Sequence, residues 1–485
     1  MLISENQILE VLRRQNIWWQ TGKIPDELVP KFKRLAFYEV HSFLTVPDLN
    51  RAIILSGARR VGKTVLLHQI GQYAIDHGTS PKKVLYVSFE DLTLTQANLR
   101  EILGLYERNI EAIDGNTYIL LDELHYTSDW SRWLMTILRE YPKAHVIATG
   151  SAAVLLRNVE TNESGVGRWT SVHVPTLSFY EYAHMRGLTS GTLAPSLTLA
   201  QLTRLDDKKR ESVLSAIMPL QREFNRYLLQ GGFPAAVSDT YSLPLAQRLL
   251  REDVIDKALK RDMAHLYGAR SLGELDQIFV YLCFNTGGIV EKNTLAKELG
   301  VAASTVEKHL QRLEDAHLIY RLPPIKLEGK KALKPRPKVY VSDSTLRNAV
   351  LLRGESIFEN ETELGAIIES CIYRHLYAFY YPDRPRFGYW KDPKTSKEVD
   401  IVLQFPNGSV IACEVKYREN PSLSKKDGLN LLLETSKPPE RSFLITKNNA
   451  DYGPLDNGKT FQIPAYVFTY LLGHVELLGW LNGFS

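Results

Sequence analysis

Between Arg51 and Gly150, short apolar runs alternate with longer stretches of helical period. The runs are Ala52 to Ser56, Val84 to Phe89, Tyr118 to Leu121 and His145 to Thr149. Strands spaced by helices in this way predict βαβ units and a parallel sheet. Residues 187 to 215 mix Gly, Ser, Thr and Pro before the charged run Asp206 to Glu211, the composition of a loop or domain boundary. From Gln221 to Leu272 the period is helical, broken by the turn Gln230-Gly231-Gly232-Phe233-Pro234, and a helical lid is expected. Gly287 to Leu322 reads as a small separate unit. From Val339 onward a helix-rich opening gives way to strands around Val399 to Phe405 and Val410 to Val415, which predicts a second α/β domain.

At roughly 150 residues per domain, 485 residues are too many for one core and call for about three domains. The patterns divide the chain into an N-terminal helical segment (1–45), a phosphate-loop core (46–190), a lid (191–272), a helix-turn-helix unit with a basic linker (273–338) and a C-terminal domain (339–485). With 59 Lys and Arg against 55 Asp and Glu, the net charge of +4 is too small to attract polyanions over the whole surface, so any such site is local. Lys326, Lys330, Lys331, Lys334, Arg336 and Lys338 against Glu328 form either a solvated basic tether or a phosphate-contacting patch. The three cysteines, Cys283, Cys371 and Cys413, offer no disulfide framework, and a reducing cytoplasm fits them best. Met1 to Trp19 lacks the apolar run of a signal peptide. The apolar stretch Ile463 to Leu481 is interrupted by His474 and Glu476, so it is expected to pack in the protein and not to cross a membrane.

Gly57-Ala58-Arg59-Arg60-Val61-Gly62-Lys63-Thr64 satisfies G-x-x-x-x-G-K-[ST] and lies between an apolar strand and the helical run Val65 to Ala74. In such a loop backbone N–H groups close around phosphates, Lys63 reaches the β- and γ-phosphates, and Thr64 ligates Mg²⁺, which points to ATP as cofactor. Arg59 and Arg60 lie within the same loop. Tyr118 to Leu121 runs into Asp122 and Glu123, and paired acids at the end of a buried strand suggest a cation: Asp122 to hold Mg²⁺, Glu123 to polarise the attacking water. The fourth run ends at Thr149-Gly150-Ser151, where Ser151 is either a contact for water or γ-phosphate or an ordinary turn serine.

Two further constellations follow. Asn293 to Leu299, the turn at Gly300 and the helix from Ser304 make a helix-turn-helix, with Ile319 to Leu322 as a first wing strand. If it meets nucleic acid, Ser304, Thr305, Lys308, His309 and Arg312 are the expected exposed face; the alternative is a lid or protein-docking module. In the C-terminal domain, Asp400 and Glu414 lie on strands joined through Asn407-Gly408, and Glu414 and Lys416 share one face. This D-x(n)-E-x-K pattern is what a divalent-metal nuclease needs, the carboxylates holding Mg²⁺ or Mn²⁺ and the lysine polarising the phosphate. E-x-K on an edge strand with no activity is the alternative.

These motifs, with Asn16-Ile17-Trp18-Trp19, Gly167-Arg168, Leu177-Ser178-Phe179-Tyr180-Glu181-Tyr182 and Gly231-Gly232-Phe233-Pro234, resemble a prokaryotic AAA+ family. In that family an ATPase module is fused to a winged helix and a C-terminal domain similar to PD-(D/E)XK nucleases. The resemblance implies an α/β protein with a P-loop AAA+ parallel sheet, a helical lid, a winged helix-turn-helix and a PD-(D/E)XK-like domain. It further implies an arginine finger in a neighbouring subunit at Arg168, with Arg157 as competitor, and hence a homo-oligomer with ATP and DNA or RNA as partners and no membrane role. Glu369 matches the extra acid that PD-(D/E)XK domains carry on the helix before the strands. Asp343 matches a family acid but is equally a helix cap, and no chemistry is assigned to it.

Overall fold

The computed structural model describes residues 3–46, 49–127, 129–150, 168–194, 197–237, 241–262, 272–327 and 336–482. The chain divides into two compact units, 1–175 with 480–485, and 176–479.

In the first unit, helix α1 (Glu5–Gln15) starts from a capping box between Ser4 and Gln7. Helix α2 (Leu35–Leu44) leads to the sheet, whose strands are β1 (Ala52–Ser56), β2 (Val84–Ser88), β3 (Tyr118–Asp122), β4 (His145–Thr149) and β5 (Trp169–His173). Helix α3 (Lys63–Asp76) follows β1. Among the described residues the five strands run parallel in the order β2-β3-β4-β1-β5. The first four are the apolar runs of the sequence, continuous because a sheet covered on both faces buries both sides of each strand. Strand β5 has no such run: Thr170 and Ser171 interrupt it, as an edge strand permits.

The free edge at β2 is closed by the segment after α1. The Asn16 amide donates to the Tyr86 carbonyl at 2.8 Å and accepts from the Tyr86 N–H at 2.7 Å, as a neighbouring strand would. Gln15 does the same for Ser88. The indole N–H groups of Trp18 and Trp19 both donate to the Val84 carbonyl. Asn16 to Trp19 is thus an edge cap, which accounts physically for these residue types together.

The second unit opens with helix α4 (Phe179–Met185), capped by a Ser178–Glu181 box, and its Phe179 N–H donates to His375 Nε2 at 3.0 Å. Helix α5 (Gln221–Gln230) ends at Gly231-Gly232. The Gly232 carbonyl accepts from the Leu177 N–H, and a Cβ on Gly232 would lie 2.1 Å from Asp343 Oδ2, so glycine is required there by close approach. Helices α6 (Leu272–Phe284), α7 (Lys292–Leu299) and α8 (Ala303–Asp315) are followed by β6 (Ile319–Leu322) and β7 (Lys338–Val341), an antiparallel pair. Lys338, the last of the basic residues read as a solvated tether or a phosphate-contacting patch, is the first residue of β7 and is 6 % exposed. Its backbone is pinned between Leu322 on one side and Ile289 on the other.

Asp343 caps helix α9 (Ser344–Leu351), accepting from the Thr345 N–H at 2.8 Å. Helix α10 (Glu361–Tyr380) then leads into a mixed sheet of β8 (Arg386–Lys391), β9 (Glu398–Gln404), β10 (Val410–Val415), β11 (Arg441–Thr446), β12 (Gly453–Pro454) and β13 (Thr460–Pro464), in the order β12-β13-β11-β10-β9-β8. The stretch Ile463 to Leu481 falls largely in helix α11 (Ala465–Asn482), buried from Ala465 to Gly473. Among the described residues no helix is long and apolar enough to cross a membrane.

Candidate nucleotide site and C-terminal acidic cleft

Strand β1 delivers the chain into the loop 57–64. A Cβ on Gly57 would lie 2.1 Å from the Val174 carbonyl oxygen, so the loop passes there only as glycine. Arg60 (φ 64°) and Gly62 (φ 99°) take left-handed backbone, and the chain folds back on itself before α3 begins at Lys63. The first N–H groups of α3 have no intrahelical acceptors and carry the positive end of the helix dipole, a place suited to phosphate. The buried Lys63 ammonium donates to the Gly57 and Ala58 carbonyls at 2.9 and 2.8 Å.

At the end of β3, Asp122 is 4 % exposed and receives three hydroxyls. Thr64 Oγ1 and the Tyr86 hydroxyl each donate to its Oδ2 at 2.8 Å, and Thr149 Oγ1 donates to Oδ1. Burial, then the charge of Glu123, pushes the Asp122 carboxyl above the usual range against these hydrogen bonds. Glu123 takes left-handed backbone at φ 51°. Its Oε2 lies 3.1 Å from His125 Nδ1. Burial pushes this carboxyl up, but His125, Lys63 and Arg59 outweigh it and hold Glu123 below the usual range, ionised at neutral pH. Arg59 also donates to the Tyr126 hydroxyl at 2.8 Å.

The structure therefore gathers Lys63, Thr64, Asp122 and Glu123 at the carboxyl ends of β1 and β3. Thr149 joins them: besides its bond to Asp122 it accepts from the Glu123 N–H at 2.9 Å. A polar residue closing an apolar strand beside β1 was the available signal, the same one that marked Asp122. Tyr86 has none, since a tyrosine inside a buried strand reads as core. Ser151, Arg157 and Gly167 lie outside the described residues. Arg168 is exposed just ahead of β5, its carbonyl accepting from the Ala52 N–H at 3.1 Å, so it stands at the opposite end of β1 from the loop. The Thr64 hydroxyl beside an Asp122 carboxylate oxygen is a donor set that fits Mg²⁺.

In the second unit, the β9–β10 register pairs Ile401 with Cys413 and brings Asp400 level with the Glu414–Val415 end of β10, whose Val415 N–H donates to Asp400 Oδ2 at 3.0 Å. Lys416 Nζ donates to Glu414 Oε1 at 3.0 Å. Glu369 on α10 lines the same cleft of about 520 Å³ with Asp400, Glu414 and Lys416. One further residue meets two of these acids. Lys338 Nζ lies 3.1 Å from both Glu369 Oε1 and Asp400 Oδ1, and the Tyr340 hydroxyl donates to Glu369 Oε1 at 2.6 Å. Burial lowers the Lys338 pKa, but Asp400 and Glu369 outweigh it and hold the ammonium well above its ordinary value. Burial and then Asp400 push Glu369 up to about 7 and Glu414 up to about 8.

Glu369, Asp400 and Glu414 are the expected metal set of this domain. Its members share a cleft, yet among the described residues no three His, Cys, Asp or Glu side chains are arranged to hold a metal ion. With an ammonium bridging two of the three carboxylates, the site as built does not fit a divalent cation.

Of the expected nucleic-acid face, Ser304 and Lys308 are exposed and Thr305 and Arg312 half-buried. His309 is corrected: it is 1 % exposed, with Nε2 3.1 Å from Glu274 Oε2 on α6. Val306, His309, Leu310 and Leu313 follow i, i+3, i+4, i+7, so the histidine belongs to the buried stripe of α8. Glu307, on the same helix, pairs with Lys292 and Arg321.

A parallel sheet with a glycine loop and strand-end acids at one edge defines a P-loop nucleotide-binding protein. Residues 49–183 match the AAA domain family, and this with the fold makes the region an AAA-type ATPase domain. Residues 221–356 and 364–466 match two domains of unknown function, DUF8612 and DUF4143. The chain is 27 % identical over 359 residues to an uncharacterized protein of Haemophilus influenzae, covering 72 % of this chain and 79 % of that one. It is 25 % identical over 375 residues to an uncharacterized protein of Methanocaldococcus jannaschii, 76 % of each. Among solved structures, the ORC1 protein of Aeropyrum pernix in complex with DNA aligns at 13 % identity and TM-score 0.30, over 69 % of this chain and 96 % of that one, a likeness too loose to bear on function.

Proposed function

We propose that this chain hydrolyses ATP and couples its nucleotide state to a nucleic-acid-facing winged helix and a PD-(D/E)XK-like domain, working as a homo-oligomer. The observation that carries the ATPase reading is the hydrogen-bonded chain Thr64–Asp122–Thr149–Glu123 beside the loop lysine. Lys63 and the α3 N-terminus would bind the phosphates, Thr64 and Asp122 would hold Mg²⁺, and Glu123, ionised, would orient the attacking water. Mg²⁺ supplies neutralisation of the charge on the phosphates. Thr149 positions both acids, Asp122 by its hydroxyl and Glu123 through the backbone N–H. Ser151 remains a candidate contact for the γ-phosphate, and Ser304, Thr305, Lys308 and Arg312 remain the candidate nucleic-acid contacts.

For the C-terminal domain, metal-dependent cleavage of DNA or RNA is the activity for which Asp400, Glu414, Lys416 and Glu369 are the usual residue types. The seating of Lys338 between two of these acids favours the second reading, a catalytically silent domain in a nucleotide-gated regulator or a DNA motor or scaffold. Nucleotide binding and phosphate release test the first site. Lys63→Ala should lose tight ATP binding, while Glu123→Gln should still bind ATP and lose about 10²–10⁴-fold in turnover. Normal turnover in Glu123→Gln would remove Glu123 from the mechanism. Cleavage assays on DNA and RNA with ATP, a non-hydrolysable analogue, and Mg²⁺ or Mn²⁺ separate the two C-terminal readings.

A further inference from the structure

We propose that the Lys338 ammonium takes the place of a divalent cation between Glu369 and Asp400, and that lysine and metal ion exclude each other from this cleft. Lys338 comes from a different part of the chain than the acids: it lies in the region matching one domain, 221–356, while Glu369, Asp400, Glu414 and Lys416 lie in the next, 364–466. The first lends its cation to the second.

Four observations carry this. The ammonium is equidistant, at 3.1 Å, from one oxygen of each acid, with Glu398 at 3.9 Å as a third carboxylate. Its backbone is held in β7 by partners on both sides, so the side chain is delivered to the cleft by regular structure. The seat is built for it: Tyr340 bonds the acid it bridges, and the Tyr389 ring centroid lies 5.7 Å from Nζ. Lastly, Glu414 is 6 % exposed and its Oε2 has no hydrogen-bond partner among the described residues. Such an oxygen is costly to leave unpaired. Removing Lys338 would free the carboxyl oxygens of Glu369 and Asp400 that it now bridges. A divalent ion needs several oxygens at 2.0–2.6 Å, and two of the nearest are committed while Lys338 is seated.

The expectation that an ion would enter at all rests on the PD-(D/E)XK-like reading, and the experiment keeps the two apart. Full-length protein without nucleotide is titrated with Mn²⁺ by calorimetry and by the paramagnetic resonance of free Mn²⁺, for wild type, Lys338→Met, Lys338→Gln, Asp400→Asn and Lys338→Met with Asp400→Asn. Wild type should match Asp400→Asn, with no site dependent on Asp400. Lys338→Met should gain one site at least about tenfold tighter than any Mn²⁺ binding by wild type, and the double variant should lose it. Lys338→Gln should gain it too. In parallel melts, Lys338→Met should be less stable than wild type without metal and be raised by Mn²⁺, while wild type is not; refolding of Lys338→Met only with Mn²⁺ supports the proposal equally. Asp400-dependent Mn²⁺ binding that is equally tight in wild type and Lys338→Met overturns mutual exclusion but leaves a metal-competent cleft. Folded Lys338→Met and Lys338→Gln that both bind no Mn²⁺ overturn the proposal and the metal-competent reading together.

Discussion

Glu39, on α2, is a carboxyl buried without an obvious task, and burial pushes it up to about 8. An unfolded glutamate titrates near its ordinary value of about 4.3. Between these two values the folded chain keeps a proton that the unfolded chain has lost, so stability falls as pH rises from about 4.5 to about 8 and levels off above. The slope from this one group is at most about 1.4 kcal/mol per pH unit. Glu39→Gln should flatten it and be more stable than wild type at pH 8, with little difference near pH 4.5; denaturant unfolding across that range is the measurement. Glu123 is the opposite case: half-buried, it is held ionised by His125, Lys63 and Arg59, because those cations face it. Burial alone does not decide the charge state of a carboxyl here. Its neighbours do.

At the scale of elements, the segment Gln15 to Trp19 replaces a strand. Asn16 satisfies both backbone groups of Tyr86 and returns its second N–H to the Leu12 carbonyl at 2.8 Å, so the amide is fully used. Asn16→Ala would leave the Tyr86 N–H and carbonyl unpaired at a buried edge, each at about 1–3 kcal/mol. The expected loss is about 2–6 kcal/mol, read as a lower denaturant midpoint. Asn16→Asp, which keeps an acceptor for the N–H but no donor for the carbonyl, should fall between them. An undiminished midpoint in Asn16→Ala would mean that Gln15 and the tryptophans suffice to close the edge. The same logic of borrowed partners operates in the second unit, where β7 carries Lys338 to acids that belong to other elements.

At the scale of the whole molecule, the position of Arg168 bears on assembly. Strand β1 runs from Ala52, beside Arg168, to Ser56, beside the phosphate loop, a span of about 13 Å at ~3.3 Å per residue. An arginine at the far end of the strand does not serve the loop of its own chain. If Arg168 acts on a γ-phosphate, it does so in a neighbouring subunit, and Arg168→Ala should then lower hydrolysis far more than ATP affinity. Mixing Arg168→Ala with Lys63→Ala subunits should restore part of the activity at mixed interfaces. Absence of rescue in subunits shown to co-assemble would remove the finger in trans.

The amino-acid sequence by itself determined whatever depends on neighbours along the chain. The glycines and Lys63-Thr64 announce a phosphate loop because its geometry is local, and Asp122-Glu123 stand out because charge ends an apolar run. Asp400 and Glu414 could be paired from strand alternation and a short connection, and Asp343 could be seen as a cap. What only the tertiary structure decided are the contacts made across distance. Thr149 meets Asp122 because β4 lies between β3 and β1, an order that no run of residues encodes. His309 is buried because α6 presents Glu274 to that face of α8. Lys338 is buried because β7 pairs with β6 and turns the ammonium inward, toward acids 31 and 62 residues farther on. A lysine in a charged stretch is indistinguishable from a solvated one until the groups that can compensate its burial are brought beside it, and that is a property of the folded sheet and helix together.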